Sequence, residues 1–134
     1  MIWEDRYIDI IKSEETIREE QKEKGCEIAV TNNIIDDIKI VAVAHFANAI
    51  TLTIQCADCS LLGWFEVTDN IGYILRFLVD LFDKNNDDGA NINSLKNTPI
   101  RLIHSGNKYG EVIAIGHFMK NCFVYLDDIA KLKK

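Results

Sequence analysis

The chain has 134 residues, 48% hydrophobic and 27% charged, which fits one globular domain and excludes a disordered polymer. No apolar run reaches the roughly 20 residues of a membrane-spanning helix, and acids at Glu4, Asp5 and Asp9 do not suit a signal peptide, so a cytoplasmic protein with no membrane partner is expected. The net charge of −6, from 21 acids and 15 bases, argues against direct nucleic-acid binding, which needs clustered Lys and Arg.

Residues 3 to 24 read as an N-terminal helix. Trp3, Tyr7, Ile10 and Ile17 form a stripe at helical spacing, and Ser13 is cap-competent and divides the segment. From Ser13 the run SEETIREEQKEKG is charged, with Glu14–Arg18 and Glu20–Lys24 spaced as i, i+4 pairs, and Gly25 is a natural stop. The period then changes from 3.6 to 2. Cys26 to Thr31 reads as a strand ending at an Asn32-Asn33 turn, and Ile38 to Phe46 as a central strand. Ala49 to Cys56 alternates, with Ile50, Leu52 and Ile54 inward. A tight turn at Ala47-Asn48 would set Val41, Val43 and His45 on the same face. Leu61 to Val67 completes a three-stranded meander.

Asn70 to Lys84, NIGYILRFLVDLFDK, is the one long helix. Its polar breaks at Gly72, Arg76, Asp80 and Asp83 make a narrow stripe, as when a curved sheet covers a helix on most sides. Arg76 and Asp80 are spaced to pair in solvent. After an acidic loop, Thr98 to His104, Glu111 to His117 and Cys122 to Leu126 read as three further strands. Asp127-Asp128 then caps a last helical turn. The expected fold is α+β: an N-terminal helix over residues 1–25, then a core over 26–134. That core holds an antiparallel β-meander, the central buried helix packed on the sheet, and a C-terminal β-hairpin.

Two motifs invite a metal. Cys56-x₂-Cys59 is half of a tetrahedral zinc site, with His117 and Cys122 as its only partners at plausible spacing; the competing reading is buried thiols. The loop DKNNDDGANINS places Asp83, Asn85 and Asp87 as in a calcium loop. It carries Asp88 where Gly is required and Ser94 where a bidentate Glu is required, so it reads as a solvated acidic loop. His45, His104 and His117 are scattered. There is no nucleophile elbow and no phosphate-cradling glycine loop, so neither an enzyme nor a cofactor is expected.

The meander into Gly63-Trp64-Phe65, the helix IGYILRFLVDLF, and the segments LKNTPIRLIHS and IAIGHFMKNCFVYLDDI carry a resemblance over residues 38 to 129. In that pattern the chain resembles small uncharacterised accessory proteins of phages and bacterial mobile elements. The resemblance implies an inhibitor of host defence, anti-CRISPR proteins being one such kind. An acidic inhibitor meets a basic, nucleic-acid-binding cleft of a defence protein such as a CRISPR nuclease, where opposite fields speed encounter. The contact residues expected are Asp83, Asp87 and Asp88, then Glu14 and Glu19 on the charged helix that runs to Glu23. The alternative is a small molecule or nucleotide held between sheet and central helix.

Overall fold

The structure, a computed structural model, describes residues 7–43, 49–57, 63–67, 71–82 and 95–131. In chain order these form α1 (Glu14–Glu23), β1 (Ile28–Val43), β2 (Ala49–Cys56), β3 (Gly63–Val67), α2 (Ile71–Leu81), β4 (Pro99–Ser105), β5 (Val112–His117), β6 (Phe123–Tyr125) and α3 (Leu126–Ala130). The fold is α+β, as its alternating strand patterns and single apolar helix require. The six strands make one antiparallel sheet in the order β3-β2-β1-β4-β5-β6.

Everything hangs on β1, a strand of 16 residues. Its first half, Ile28 to Ile34, pairs with β4, and its second half, Ile35 to Val43, pairs with β2. The expected Asn32-Asn33 turn does not form. Asn32 lies opposite Arg101 and Asn33 opposite Ile100, within an unbroken ladder. Asn is a poor strand former, but long-range pairing outweighs local propensity. Asn33 is buried, and its Oδ1 accepts from the Ile34 N–H at 2.9 Å.

Two bulges shape the sheet. Ile35 pairs with Cys56 but Asp37 with Gln55, so Asp36 is an extra residue. That insertion resets the alternation, and Ile35 and Ile38 both reach the same core. On β5, Ile103 pairs with Ala114 but His104 with Val112, so Ile113 is extra. Val112 and Ile115 then pack toward one core, while Ile113 and Ala114 pack toward the other. Bulges add bend and twist. The sheet curls far enough that α3, which follows β6, lies against β3 from the opposite edge.

The curled face holds α2. Ile74, Phe77, Leu78 and Leu81 are fully buried against Ile35, Ile54, Leu102, Ile115 and Val124. The Tyr7 ring meets Phe77 edge-on, with centroids 4.8 Å apart. On the other face α1 lays Ile17 against Ile28, Ile103, Ala114 and Phe123.

Several expectations change here. The N-terminal helix begins only at Glu14; Ser13 is its N-cap and accepts from the Thr16 N–H at 3.2 Å. Residues 7 to 10 form a turn, and Lys12 adds a β-bridge to Phe123. The supposed single stripe is therefore divided: Tyr7 and Ile10 serve the α2 core and Ile17 the α1 core, while Trp3 lies outside the described residues. The β1–β2 register pairs Ile38, Ile40 and Ala42 with Ile54, Leu52 and Ile50, not Val41 and Val43. The connection is three residues longer than expected, and any odd change in turn length pairs the opposite set of residues. Here Val43 opposite Ala49 leaves residues 44–48 as the connection; the expected Ala47-Asn48 turn and His45 fall in it, outside the described residues. Asp80 is not a solvent residue: its side chain is 4% exposed, with Arg76 Nε 3.7 Å away. Asp127 and Asp128 occupy the first turn of α3, favoured there by the helix dipole, and Tyr125 is the N-cap.

Candidate functional site

The four zinc candidates do not form one set. Cys56 is buried and faces Ile35 on β1, whereas His117 faces Ile100 on β4. Strands β1 and β4 lie between them, so their backbones are about 14 Å apart at about 4.8 Å per strand. A tetrahedral zinc takes its ligands at about 2.0–2.3 Å. His117 and Cys122 are neighbours, the His117 N–H donating to the Cys122 carbonyl at 3.0 Å, but they are two ligands only. Cys59 lies outside the described residues, as do Asp83, Asp87, Asp88 and the rest of the acidic loop. Among the described residues no group of three or more His, Cys, Asp or Glu could hold a metal ion.

The histidines have structural duties. His104 is buried, with Nε2 2.7 Å from Thr31 Oγ1 and Nδ1 3.0 Å from the Gly110 carbonyl. His117 Nδ1 accepts from the N–H groups of Met119 and Lys120 at 2.9 and 3.0 Å. The contact between α2 and the sheet, where a small ligand was the alternative, is filled in the described residues by the apolar core above.

Helix α1 presents a run of exposed charge. Ile17 and Gln21 face the sheet, so Glu15, Glu19 and Glu23, four residues apart, form one solvent-facing ridge. Glu14 pairs with Arg18 at 2.9 Å, as the spacing predicts. Glu20 turns away from Lys24 and takes Lys12 Nζ at 2.8 Å. Glu19 and Glu23 have no ion-pair partner among the described residues.

The ridge is held firmly. Tyr125 on β6 donates to Glu20 Oε1 at 2.9 Å and accepts from Gln21 Nε2 at 3.2 Å, and Lys12 Nζ lies 5.2 Å from the Tyr125 ring. At the helix start, Asn121 from the β5–β6 turn accepts the Glu14 N–H and donates to Glu15 Oε2, both at 2.8 Å. Asn121 thus satisfies one of the donors a helix N-terminus leaves free. Nothing in the local sequence flags Asn121, which is 107 residues from Glu14; the spacing of four that makes the ridge was the visible signal.

These contacts shift titrations. The Lys12 hydrogen bond holds the Glu20 carboxyl below its ordinary 4.5, and the Glu20 carboxylate holds the Lys12 amine above its ordinary 10.5. Burial raises the Tyr125 hydroxyl. A carboxyl lowered by folding adds stability above its unfolded pKa, lost as pH falls through the folded one; an amine raised by folding adds stability below its unfolded pKa, lost as pH rises. The pair's contribution is therefore expected to be flat between about pH 5 and 10 and to fade on both sides. With Glu20's side chain 37% exposed it is worth under about 1 kcal/mol. Urea midpoints against pH check this: Lys12→Met should shallow the acid limb, and identical slopes would remove Glu20 from it.

Compared with known protein families, curated proteins and solved structures, the chain matches none.

Proposed function

We propose that the chain is a non-enzymatic binding protein of a phage or mobile element, one that inhibits a host defence protein of the CRISPR type by occupying a basic surface. The observation that carries this is the ridge of Glu15, Glu19 and Glu23 on α1. Like charges four apart on a helix cost about 0.2–0.5 kcal/mol per pair; Glu15 repays part of this by holding Asn121, whereas the fold gains nothing evident from Glu19 and Glu23. The helix that bears them is docked through Ile17 and through the Lys12–Glu20–Tyr125 contacts, so the charges stand in a fixed array. Lys22 stands exposed on the same face, and the array stays net acidic, which suits a cleft of the opposite sign such as one that grips nucleic acid. Inhibition then needs no chemistry, only occupation of that cleft. Asp83, Asp87 and Asp88 belong to the same reading as a second acidic contact, and Glu14, engaged with Arg18, stands at the ridge's edge.

The test is the association rate with a purified, guide-loaded CRISPR nuclease. Glu15→Lys, Glu19→Lys and Glu23→Lys together should slow association about tenfold or more at low salt, with the rates converging as salt rises. An unchanged rate would take the ridge out of the interface, and no binding at all would end the inhibitor reading.

A further inference from the structure

The β5–β6 turn carries two apolar residues in succession on its outside. Met119 is 78% exposed and Phe118 40%. Single exposed apolar residues are ordinary. Here, however, side chains brace the turn beyond the one backbone bond that closes it, from the His117 N–H to the Cys122 carbonyl at 3.0 Å. Arg101, from the neighbouring strand β4, donates through Nε to the His117 carbonyl at 3.0 Å and through Nη2 to the Lys120 carbonyl at 2.7 Å. The Arg101 guanidinium is itself stacked over the Phe123 ring, 4.8 Å from its centroid. His117 Nδ1 takes the N–H groups of Met119 and Lys120, and Asn121 ties the far side of the turn to Glu14 and Glu15. A turn so held loses little freedom on binding, which is the main cost of using a loop as an anchor.

We infer that Phe118 and Met119 are the apolar anchor of the interface whose rim is the α1 ridge, and that their receptor is an apolar pocket on a protein partner, bordered by Lys or Arg. This rests on the binding reading above and names the chemistry of the contact. Apolar anchors surrounded by polar groups are how protein interfaces concentrate their energy. The charge around the anchor sets the border of the pocket. Glu15 adjoins the turn through Asn121, and Glu19 and Glu23 continue away from it for about 12 Å along the helix. Lys120 is the one base within the turn, and Arg18 is engaged by Glu14. A second copy of this chain is the poorer occupant. Two-fold pairing through the turn would bring ridge toward ridge, and like charges brought together across an interface are costly.

The experiment places p-benzoylphenylalanine at position 118 of the full chain, expressed in bacteria that carry a guide-loaded CRISPR nuclease, and maps the ultraviolet cross-link by mass spectrometry. The expected adduct lies in an apolar pocket of the nuclease bordered by Lys or Arg. With that partner purified, Phe118→Ser combined with Met119→Ser should raise the dissociation rate about 30-fold or more, while the ridge reversals act on association. An adduct at such a pocket on another protein keeps the anchor and overturns the defence reading. A cross-link between two copies, an adduct in a pocket without basic residues, no adduct, or an unchanged dissociation rate each overturns the anchor, whatever the ridge reversals show.

Discussion

Phe77→Ala should lower stability by about 3–5 kcal/mol, the range for truncating a fully buried aromatic ring. Phe77 sits in the middle of α2 with no exposed surface. Its neighbours come from all around the curl: Ile35 and Ile38 on β1, Ile54 on β2, Leu102 on β4 and Ile115 on β5 share its core, and Tyr7 closes against its edge. A site lined by four strands of one hydrogen-bonded sheet cannot collapse inward easily, so the cavity term is expected near its upper end. For a chain of this size the melting temperature should fall by about 10 °C or more. Phe77→Leu keeps most of the volume and should cost about 1.5 kcal/mol. Urea unfolding of the two variants checks this; a loss below about 1 kcal/mol for the alanine variant would mean that the sheet does not wrap α2.

Gly116→Ala should cost about 3 kcal/mol, the upper end of the usual penalty for overpacking. Gly116 on β5 lies opposite Phe123 on β6, and a Cβ there would run into the Phe123 ring and stand 2.7 Å from the Cys122 carbonyl oxygen. The glycine is needed because the ring lies flat across its strand, between β5 and the Arg101 guanidinium, while also closing the core under Ile17. Phe123→Ala alone should cost about 3–5 kcal/mol. The two losses should not add, since removing the ring frees the space the new methyl needs. A double-mutant cycle is expected to return about 2 kcal/mol of coupling. Strict additivity would instead place the clash at the Cys122 backbone.

The central helix was legible because NIGYILRFLVDLFDK is apolar on nearly every side, a pattern that only an enclosing sheet can satisfy. Strands β4, β5 and β6 lie within a residue or so of their expected bounds, each being a short apolar run between turn residues. The bulges at Asp36 and Ile113 were not legible, because one extra residue in a ladder has meaning only against its partner strand. The continuity of β1 through Asn32 and Asn33 was hidden for the same reason: the strand it pairs with lies far along the chain. In the candidate site, Glu14 and Glu19 stood out by charge, whereas the coupling of the β5–β6 turn to α1 depends on Asn121, a residue with no local signature.

The division of β1 between two partners sets a folding order. Its second half meets β2 within a hairpin closed by five residues, a contact formed at little entropic cost. Its first half meets β4 across 65 to 77 residues of chain, so that pairing waits until α2 and the intervening segments have been gathered in. Helix α1, the β5–β6 turn and Asn121 all belong to this later half of the sheet. A nascent or partly unfolded chain therefore carries a formed hairpin but neither the acidic ridge in its fixed array nor the turn in its held shape. The surface proposed for binding is complete only after the last long-range pairing.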